Sequence, residues 1–325
     1  MIATLRAAGH EALWAGGCVR DLVLGREPKD YDVATSATPE EVTRCFERTV
    51  LVGAAYGVVR VLVENSDIEV ATFRTDGGYS DGRRPDQVTW TTAEDDVKRR
   101  DFTINGLLGD PLSGGDTPHI IDHVGGLADL ESGLIRAIGD PDARFKEDHL
   151  RILRAVRFAA RLDFEIHEET WAAVVRHGPS LESVSAERIR DELQGMWTEG
   201  RPAQALRLLT RSQLLPLALP ELVVTDAAIK RLEGAARLSP AVGWATVMLD
   251  IGEPGFALPS LGKRLRLSRA LSDKMKTIVG TVRTLQRYDT LGLAARKRLL
   301  RPPEAEDALI VARLAARADQ LDGHA

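Results

Sequence analysis

Residues 16–34 read GGCVRDLVLGREPKDYDVA, and the spacing inside this stretch decides how the front of the chain is built. Asp30 and Asp32 flank a single residue. In a strand, successive side chains point to opposite faces, so these two carboxylates share one face. Gly16 and Gly17 precede them. A backbone without Cβ can approach a phosphate, and the helix that follows presents free N–H groups. Arg20 lies in the first turn of that helix, within reach of a triphosphate. Two carboxylates beside a phosphate-sized glycine turn point to a hard-metal site for phosphoryl or nucleotidyl chemistry. Mg²⁺ takes one or two carboxylates together with substrate phosphates. A two-metal site activates the attacking hydroxyl and steadies the leaving oxygens. Glu69, in the strand-like run IEVATF at 68–73, is the candidate third carboxylate. Each part has a plainer reading. A lone Asp-x-Asp is most often a turn or a solvated edge, and Gly-Gly an ordinary strand-to-helix turn. Their combination shifts the balance toward chemistry.

The chain has 325 residues, enough for two or more domains and a sizeable core. Hydrophobic content of 44% and charged content of 28% are those of a soluble globular protein. No apolar run reaches the length of a membrane span, and the first nine residues lack the pattern of a signal peptide. Cys18 and Cys45 stand in no metal spacing, which fits a reducing cytoplasm and excludes a disulfide framework. The net charge is −5, yet residues 261–301 carry twelve Lys or Arg against two Asp, a local +10. Lys263, Arg264, Arg266 and Arg269 open this segment. A basic patch on an acidic protein is either a footprint for a polyanion or a solvated helical face.

The pattern predicts a helix over 2–9, a strand over 11–15, a helix over 19–24 and a strand over 30–34. Thr38-Pro39-Glu40-Glu41 opens another helix, with a cap, a proline at the first position and acids in the first turn. Residues 57–63 and 68–74 read as strands joined by a turn at Asn65-Ser66-Asp67. TDGGYSDGRRPD at 75–86 reads as a flexible loop. Thr91 and Glu94 form the capping box of a helix running to about 108, and Asp140-Pro141 opens one running to about 162. Beyond 168 strand signals nearly vanish. The expected fold is α+β: a nucleotidyltransferase-type head with a mixed sheet over 1–139, a helical neck over 140–200, and a helical body and tail over 201–325.

GGCVRDLVLG…KDYDVAT resembles the signature of the nucleotidyltransferase superfamily, specifically the bacterial class II tRNA nucleotidyltransferases (CCA-adding enzymes) and the related poly(A) polymerases. VKRRDFTING at 97–106, IIDHVGGLADL at 120–130 and ARFKEDHLRILRAVRFAARL at 143–162 follow in the family's order. Four linked motifs make the resemblance specific over about residues 9–220. It implies Asp30 and Asp32 as metal ligands with Mg²⁺, Arg100 as a triphosphate contact and Asp101 as the ribose selector. Asp101 and Asn105 are read as sharing one helix face, with a solvated charged helix as the competing reading.

Asp148 and Arg151 are read as adjacent on the next helix. Cytosine and adenine both present an amine beside a ring-nitrogen acceptor. A carboxylate can accept from the first and a guanidinium donate to the second, so the pair selects C and A and rejects G and U. The alternative is a surface salt bridge. In the resembled family the Glu-Asp-x-x-Arg motif is this protein template, and Arg154 and Arg157 match further nucleotide-contacting arginines. VSAERIRDEL at 184–193 resembles the motif after the neck, where Arg188 and Glu192 read as structural. The later helices resemble body and tail loosely, and a shortened tail is expected. Leu249 stands where relatives with a phosphohydrolase motif carry His before Asp250, so no hydrolase activity is expected.

The resemblance thus implies template-independent addition of C and A to the tRNA 3′ end from CTP and ATP. Its partner is the tRNA acceptor arm, which on charge alone the basic segment with Lys263, Arg264, Arg266 and Arg269 is expected to hold through its phosphates, with no membrane and no obligate protein partner. CC-only or A-only enzymes and poly(A) polymerases share the motifs. A catalytically dead RNA-binding scaffold is the rival from another class, and the intact Asp30/Asp32 pair argues against it.

Overall fold

The computed structural model describes residues 1–53, 56–63, 66–79, 81–113, 115, 117–249 and 254–322. They form two compact units, Met1–Arg151 with Glu165–Ala173, and Ile152–Phe164 with Val174–Ala325.

The first unit runs α1 (Ile2–Ala7), β1 (Ala12–Ala15), α2 (Gly17–Val23), β2 (Val33–Thr35), α3 (Pro39–Cys45), β3 (Thr49–Gly53), β4 (Val58–Val63), β5 (Ser66–Thr72), β6 (Arg74–Gly77) and β7 (Gln87–Trp90). It continues through α4 (Ala93–Lys98), a 3₁₀ turn at Thr103–Asn105, β8 (Leu107–Asp110), β9 (His119–Asp122), α5 (Gly126–Ser132), β10 (Leu134–Ile135) and α6 (Pro141–Glu147). The long helix α7 (Arg151–Leu162) belongs to the second unit from Ile152 onward; the chain then returns to the first unit with β11 (Glu165–Ile166) and the start of α8 (Glu168–His177). Seven strands make one mixed sheet in the order β3-β4-β5-β2-β1-β8-β9. Among the described residues of this sheet only β2 and β5 pair in parallel, with Val33 opposite Val70; β10 and β11 form a separate parallel pair.

Alternation along the strands builds two apolar layers. Ala12, Val33, Val59, Val61 and Val70 face α1 and α3, where Ile2, Leu5 and Val42 complete that layer. Their neighbours Leu13, Ala15 and Ala34 turn to the other face and pack with Phe73, Val97 and Leu108. The predicted α3 start is observed in full: Thr38 accepts from Glu41 N–H, the Glu41 carboxylate accepts from Thr38 N–H, and Pro39 sits in the first turn.

Four expectations change. Asp30–Asp32 precede β2 instead of lying in it. The helix expected from Thr91 to residue 108 ends at Lys98, with Thr92 and Asp95 as cap and partner, and Leu107 begins a strand of the central sheet. The expected loop at 75–86 contributes Thr75–Gly77 to a hairpin in which Arg74 pairs with Trp90 and Gly77 with Gln87. The helix expected over 140–162 is broken at Asp148–Leu150 into α6 and α7. Asn65 of the expected turn lies outside the described residues.

The second unit is helical. Its helix Pro240–Met248 is buried on every side, as befits a segment apolar all round. Trp244 on it meets Trp197 edge to face, with ring centroids 5.5 Å apart and planes at 78°. Gly243 lets the two backbones approach; a Cβ there would stand 2.7 Å from Cβ of Trp197. Of the stretch compared with a phosphohydrolase motif, Leu249 is described, and 250–252 lie outside the described residues. Among the described residues no helix is long and apolar enough to cross a membrane.

Candidate functional site

The candidate site gathers at the end of β1, where the chain leaves the sheet at Gly16. The amide of Ala15 donates to the Asp32 carbonyl at 3.0 Å, and the amide of Gly16 donates to the Leu107 carbonyl at 3.0 Å. The glycine turn is therefore pinned between the entry to β2 and the start of β8. Gly16 has φ +72° and ψ −124°, a conformation that only glycine adopts freely.

Tyr31 fixes how the acidic pair is presented. Its ring packs on Trp14 at 4.9 Å, tilted by 51°, and Trp14 belongs to the α1/α3 layer. Asp30 and Asp32 flank Tyr31, so in extended chain they fall on the opposite face. The parallel register of β2 with β5 continues one step back from Val33 and Val70 and sets Asp32 beside Glu69. The two residues stand just before the strand, and their shared face is an expectation carried from the sequence.

The Asp32 carboxyl is pushed above the usual carboxylate range, first by the protein packed around it, then by the charge of Glu69 and, more weakly, of Asp30, with Arg100 opposing. Asp32 exposes more than a third of its surface. The cost of charging it therefore comes from crowding at an open mouth, and a cation can reach it. Glu69 is differently placed: its Oε1 pairs with Arg60 Nη2 at 3.2 Å, and Arg60 also holds Asp67 at 3.0 Å. Among the described residues no group of three or more His, Cys, Asp or Glu gathers to hold a metal. The donor set that fits a hard cation is Asp30 with Asp32, open to substrate phosphates. Glu69 acts on Asp32 through its charge.

Arg20 departs from the role read in the sequence. It is buried, 2% exposed, and its guanidinium pairs with Asp21 at 2.7 Å and donates to Asn105 Oδ1 at 2.6 Å. Asn105 in turn donates to Asp101 Oδ1 at 3.0 Å, which also accepts from the Phe102 amide at 2.8 Å. Arg20 thus orients Asn105 and Asp101. Those two were expected on one helix face; they meet instead across the turn that carries the 3₁₀ segment.

Two arginines flank the glycine turn: a Cβ on Gly17 would stand 3.6 Å from Arg20 Nη2, and Arg100 lies tighter, against Gly16. A Cβ on Gly16 would stand 3.1 Å from its Nη1, and its Nη2 is held by Asp96 Oδ2 at 3.0 Å. The same buried carboxylate accepts from Arg99 and from the Arg74 amide. Sequence reasoning passed over Asp96, though its spacing of three and four before Arg99 and Arg100 was visible.

Asp148 and Arg151 straddle the break between α6 and α7. Asp148 Oδ1 accepts from the Leu150 amide at 3.1 Å and caps the start of α7. Arg151 Nη1 donates to Glu147 at 2.6 Å and to the Arg144 carbonyl at 3.1 Å; its Nη2 donates to the Arg99 carbonyl at 2.8 Å. Arg144 likewise donates to the Lys98 carbonyl at 3.1 Å. The orphan carbonyls ending α4 are thus capped by two arginines. Of the five N–H donors of Arg151 these bonds use three, and among the described residues its Nε makes no hydrogen bond. The hairpin loop also reaches this segment. Gly82 lies over His149, whose Cε1 would be 2.7 Å from a Cβ on it. Tyr79 donates to Asp76 at 2.7 Å.

The other predicted residues lie in the second unit. Arg157 is committed to Glu192 at 2.6 Å and Glu199 at 2.9 Å, over the ring of Phe158. Arg154 stands 3.8 Å from Glu192. The structural reading of Glu192 is consistent with these bonds. In the basic segment, Arg264 is tied to Glu221 at 2.5 Å and to the Ala218 carbonyl, and Arg266 to Glu187. Lys263 and Arg269 remain exposed.

Comparison with known proteins agrees with this geometry. Residues 12–136 match the family described as "Poly A polymerase head domain", and residues 163–225 match "Probable RNA and SrmB- binding site of polymerase A". A CCA-adding enzyme of Enterococcus faecalis is 39% identical over 287 residues, covering 87% of this chain and 69% of that protein. One from Lactiplantibacillus plantarum is 42% identical over 233 residues, covering 71% of this chain and 56% of that protein. Such alignments thus span between about half and two thirds of the relatives' length. The crystal structure of the Bacillus stearothermophilus CCA-adding enzyme in complex with CTP superposes with a TM-score of 0.83 at 30% identity, covering 99% of this chain and 80% of that one. A glycine turn beside an acidic pair, an arginine laid against that turn, and four motifs in order on the same mixed sheet converge on one assignment: the chain belongs to the bacterial class II CCA-adding enzyme and poly(A) polymerase family of nucleotidyltransferases.

Proposed function

We propose that this chain adds C and A to the 3′ end of tRNA from CTP and ATP without a nucleic-acid template, releasing pyrophosphate. The observation that carries the reading is the convergence of Gly16, Arg100 and Asp32 at one end of the sheet, with Arg151 docked on the carbonyl of Arg99. One continuous stretch of backbone, Arg99–Arg100, therefore serves both a phosphate-side arginine and a base-side arginine. The similar B. stearothermophilus enzyme was solved with CTP, which supports a nucleoside triphosphate as the ligand.

In this reading the tRNA 3′-oxygen bonds to the α-phosphorus, and the bond from that phosphorus to the bridging oxygen of pyrophosphate breaks. Asp30 and Asp32 hold the divalent metal typical of the family, assigned here as Mg²⁺. When bound, it neutralises phosphate charge and makes the attacking hydroxyl more acidic. Gly16 and Gly17 let the triphosphate approach the backbone, Arg100 contacts its oxygens, and Asp101, held by Asn105 and Arg20, faces the ribose. Asp148 and Arg151 read the base. Lys263 and Arg269 contact acceptor-arm phosphates, while Arg264 and Arg266 brace their helices. Arg157 braces the second unit through Glu192 and Glu199, and Arg154 on the same helix is kept as a nucleotide-contacting arginine of this reading.

The test is direct. tRNAs ending before C74, C75 or A76 are incubated with CTP, ATP or both, and the products sequenced. Completed CCA ends support the proposal. Products limited to CC, to a single A or to an A tract reassign the chain to a sibling activity, and no addition to any substrate defeats it.

A further inference from the structure

We propose that Asp96 is a positioning residue that sets Arg100 against the glycine turn, so that triphosphate binding depends on a carboxylate that touches no substrate. This inference rests on the nucleotidyl-transfer reading above. Asp96 is 1% exposed and sits one turn before the arginines it holds. Its two oxygens are divided. Oδ1 accepts from Arg99 Nε at 3.0 Å, Arg99 Nη2 at 2.6 Å and the Arg74 amide at 3.2 Å. Oδ2 accepts from Arg100 Nη2 at 3.0 Å.

Arg100 has little else to hold it. Its Nε is buried with no hydrogen-bond partner among the described residues. Its Nη1 lies against the open side of Gly16, where a Cβ would crowd it. A free arginine side chain carries about 2 kcal/mol of rotamer entropy, and a planar fork fixed at one nitrogen presents its remaining donors in a set direction. Asp96 supplies that fixed point. The Oδ1 bonds matter as well: they anchor Asp96 to the first residue of β6 and to Arg99, so the carboxylate cannot swing with its guest. Burial raises the Asp96 carboxyl, and the charges of Arg99 and Arg100 more than offset it, holding it below the usual carboxylate range.

A purely structural Asp96, closing the last turn of α4, would cost stability on removal and leave nucleotide affinity alone. The two roles separate in a double-mutant cycle read by equilibrium binding of CTP to the intact chain, with thermal unfolding measured in parallel. Asp96→Asn is expected to weaken CTP binding about tenfold or more, the size of one charge-assisted hydrogen bond. Arg100→Gln should weaken it comparably, and the double variant should bind within about twofold of Arg100→Gln alone. Effects that multiply across the cycle, or an Asp96→Asn protein that binds CTP within about twofold of wild type, overturn the proposal. Asp96→Glu keeps the charge but displaces it, and serves if the Asn variant does not fold. If neither variant folds, Asp96 is a structural residue and the inference is wrong. A wild-type chain that binds CTP yet extends no tRNA defeats the functional reading alone, whereas one that binds no CTP defeats both.

Discussion

Replacing Gly16 by alanine tests the site at its tightest point. The backbone there has φ +72° and ψ −124°, a region where a side chain costs about 1–3 kcal/mol. In a unit of this size each kcal/mol lowers the unfolding temperature by about 2–4 °C. The new methyl would also stand 3.1 Å from Arg100 Nη1 and 3.7 Å from the Asn105 carbonyl oxygen. The Asn105 carbonyl is at ordinary contact distance, so the crowding falls on Arg100, whose Nη1 must shift away from the turn. Displacing it from a phosphate loses a charge-assisted hydrogen bond of about 1.5–3 kcal/mol, which lowers kcat/KM for CTP about 10- to 150-fold. Gly25→Ala is the control. Gly25 has φ +65° with nothing within 4 Å of its missing Cβ, so it carries backbone strain without the contact. Thermal unfolding and initial rates of nucleotide incorporation are measured for both. Both variants should lose stability, and only Gly16→Ala should lose most of its rate. Equal rates in the two variants would refute the close-approach argument, as would an equally large rate loss in Gly25→Ala.

Arg157→Ala should destabilise the second unit by about 1–3 kcal/mol, read as a fall in urea midpoint, because it removes the 2.6 Å partner of Glu192 and leaves that carboxylate with the longer 3.8 Å contact to Arg154. Glu69→Gln should retain nucleotide addition within about an order of magnitude, whereas Asp30→Ala and Asp32→Ala abolish it; incorporation assays showing Glu69→Gln as dead as the aspartate variants would restore it as a ligand. For pH, the folded-state pKa of Asp96 lies below its ordinary value. Its stabilising effect is therefore complete above about pH 4, the unfolded value, and is lost as pH falls through the folded value. Urea melts of wild type and Asp96→Asn should differ at neutral pH and converge in acid; a constant gap would contradict the assignment. Reversing the charge of Lys263 and Arg269 should weaken tRNA binding and flatten its dependence on salt. The same change at Arg264, tied to Glu221, should register mainly as lost stability.

How much of this was legible beforehand differs by element. The start of α3 was readable in full because a capping box is a local device, closed between Thr38 and Glu41. The acidic pair was readable as a spacing, Asp30 and Asp32 two apart, although both stand just before the strand. The helix expected to run to residue 108 failed because its later residues are drawn into the sheet: Leu107 and Leu108 pair with β9, and Leu108 fills the layer under α4. Turn residues also hid the β6–β7 hairpin, whose pairing of Arg74 with Trp90 spans sixteen residues.

Within the site the division is similar. Residue types and spacings alone located the glycine turn and the two carboxylates, and four motifs in order gave the family; the C-or-A reading of Asp148 and Arg151 rested on the resemblance and is a proposal here. Types and spacings could not assign the arginines, because an arginine reaches in any direction until packing restrains it. Only the tertiary structure turned Arg20 inward to Asn105, laid Arg100 against Gly16, and committed Arg157 and Arg264 to buried or half-buried carboxylates. Burial makes those choices. A charge taken out of water must be paired, and the partner each arginine finds within the fold fixes where its guanidinium stands.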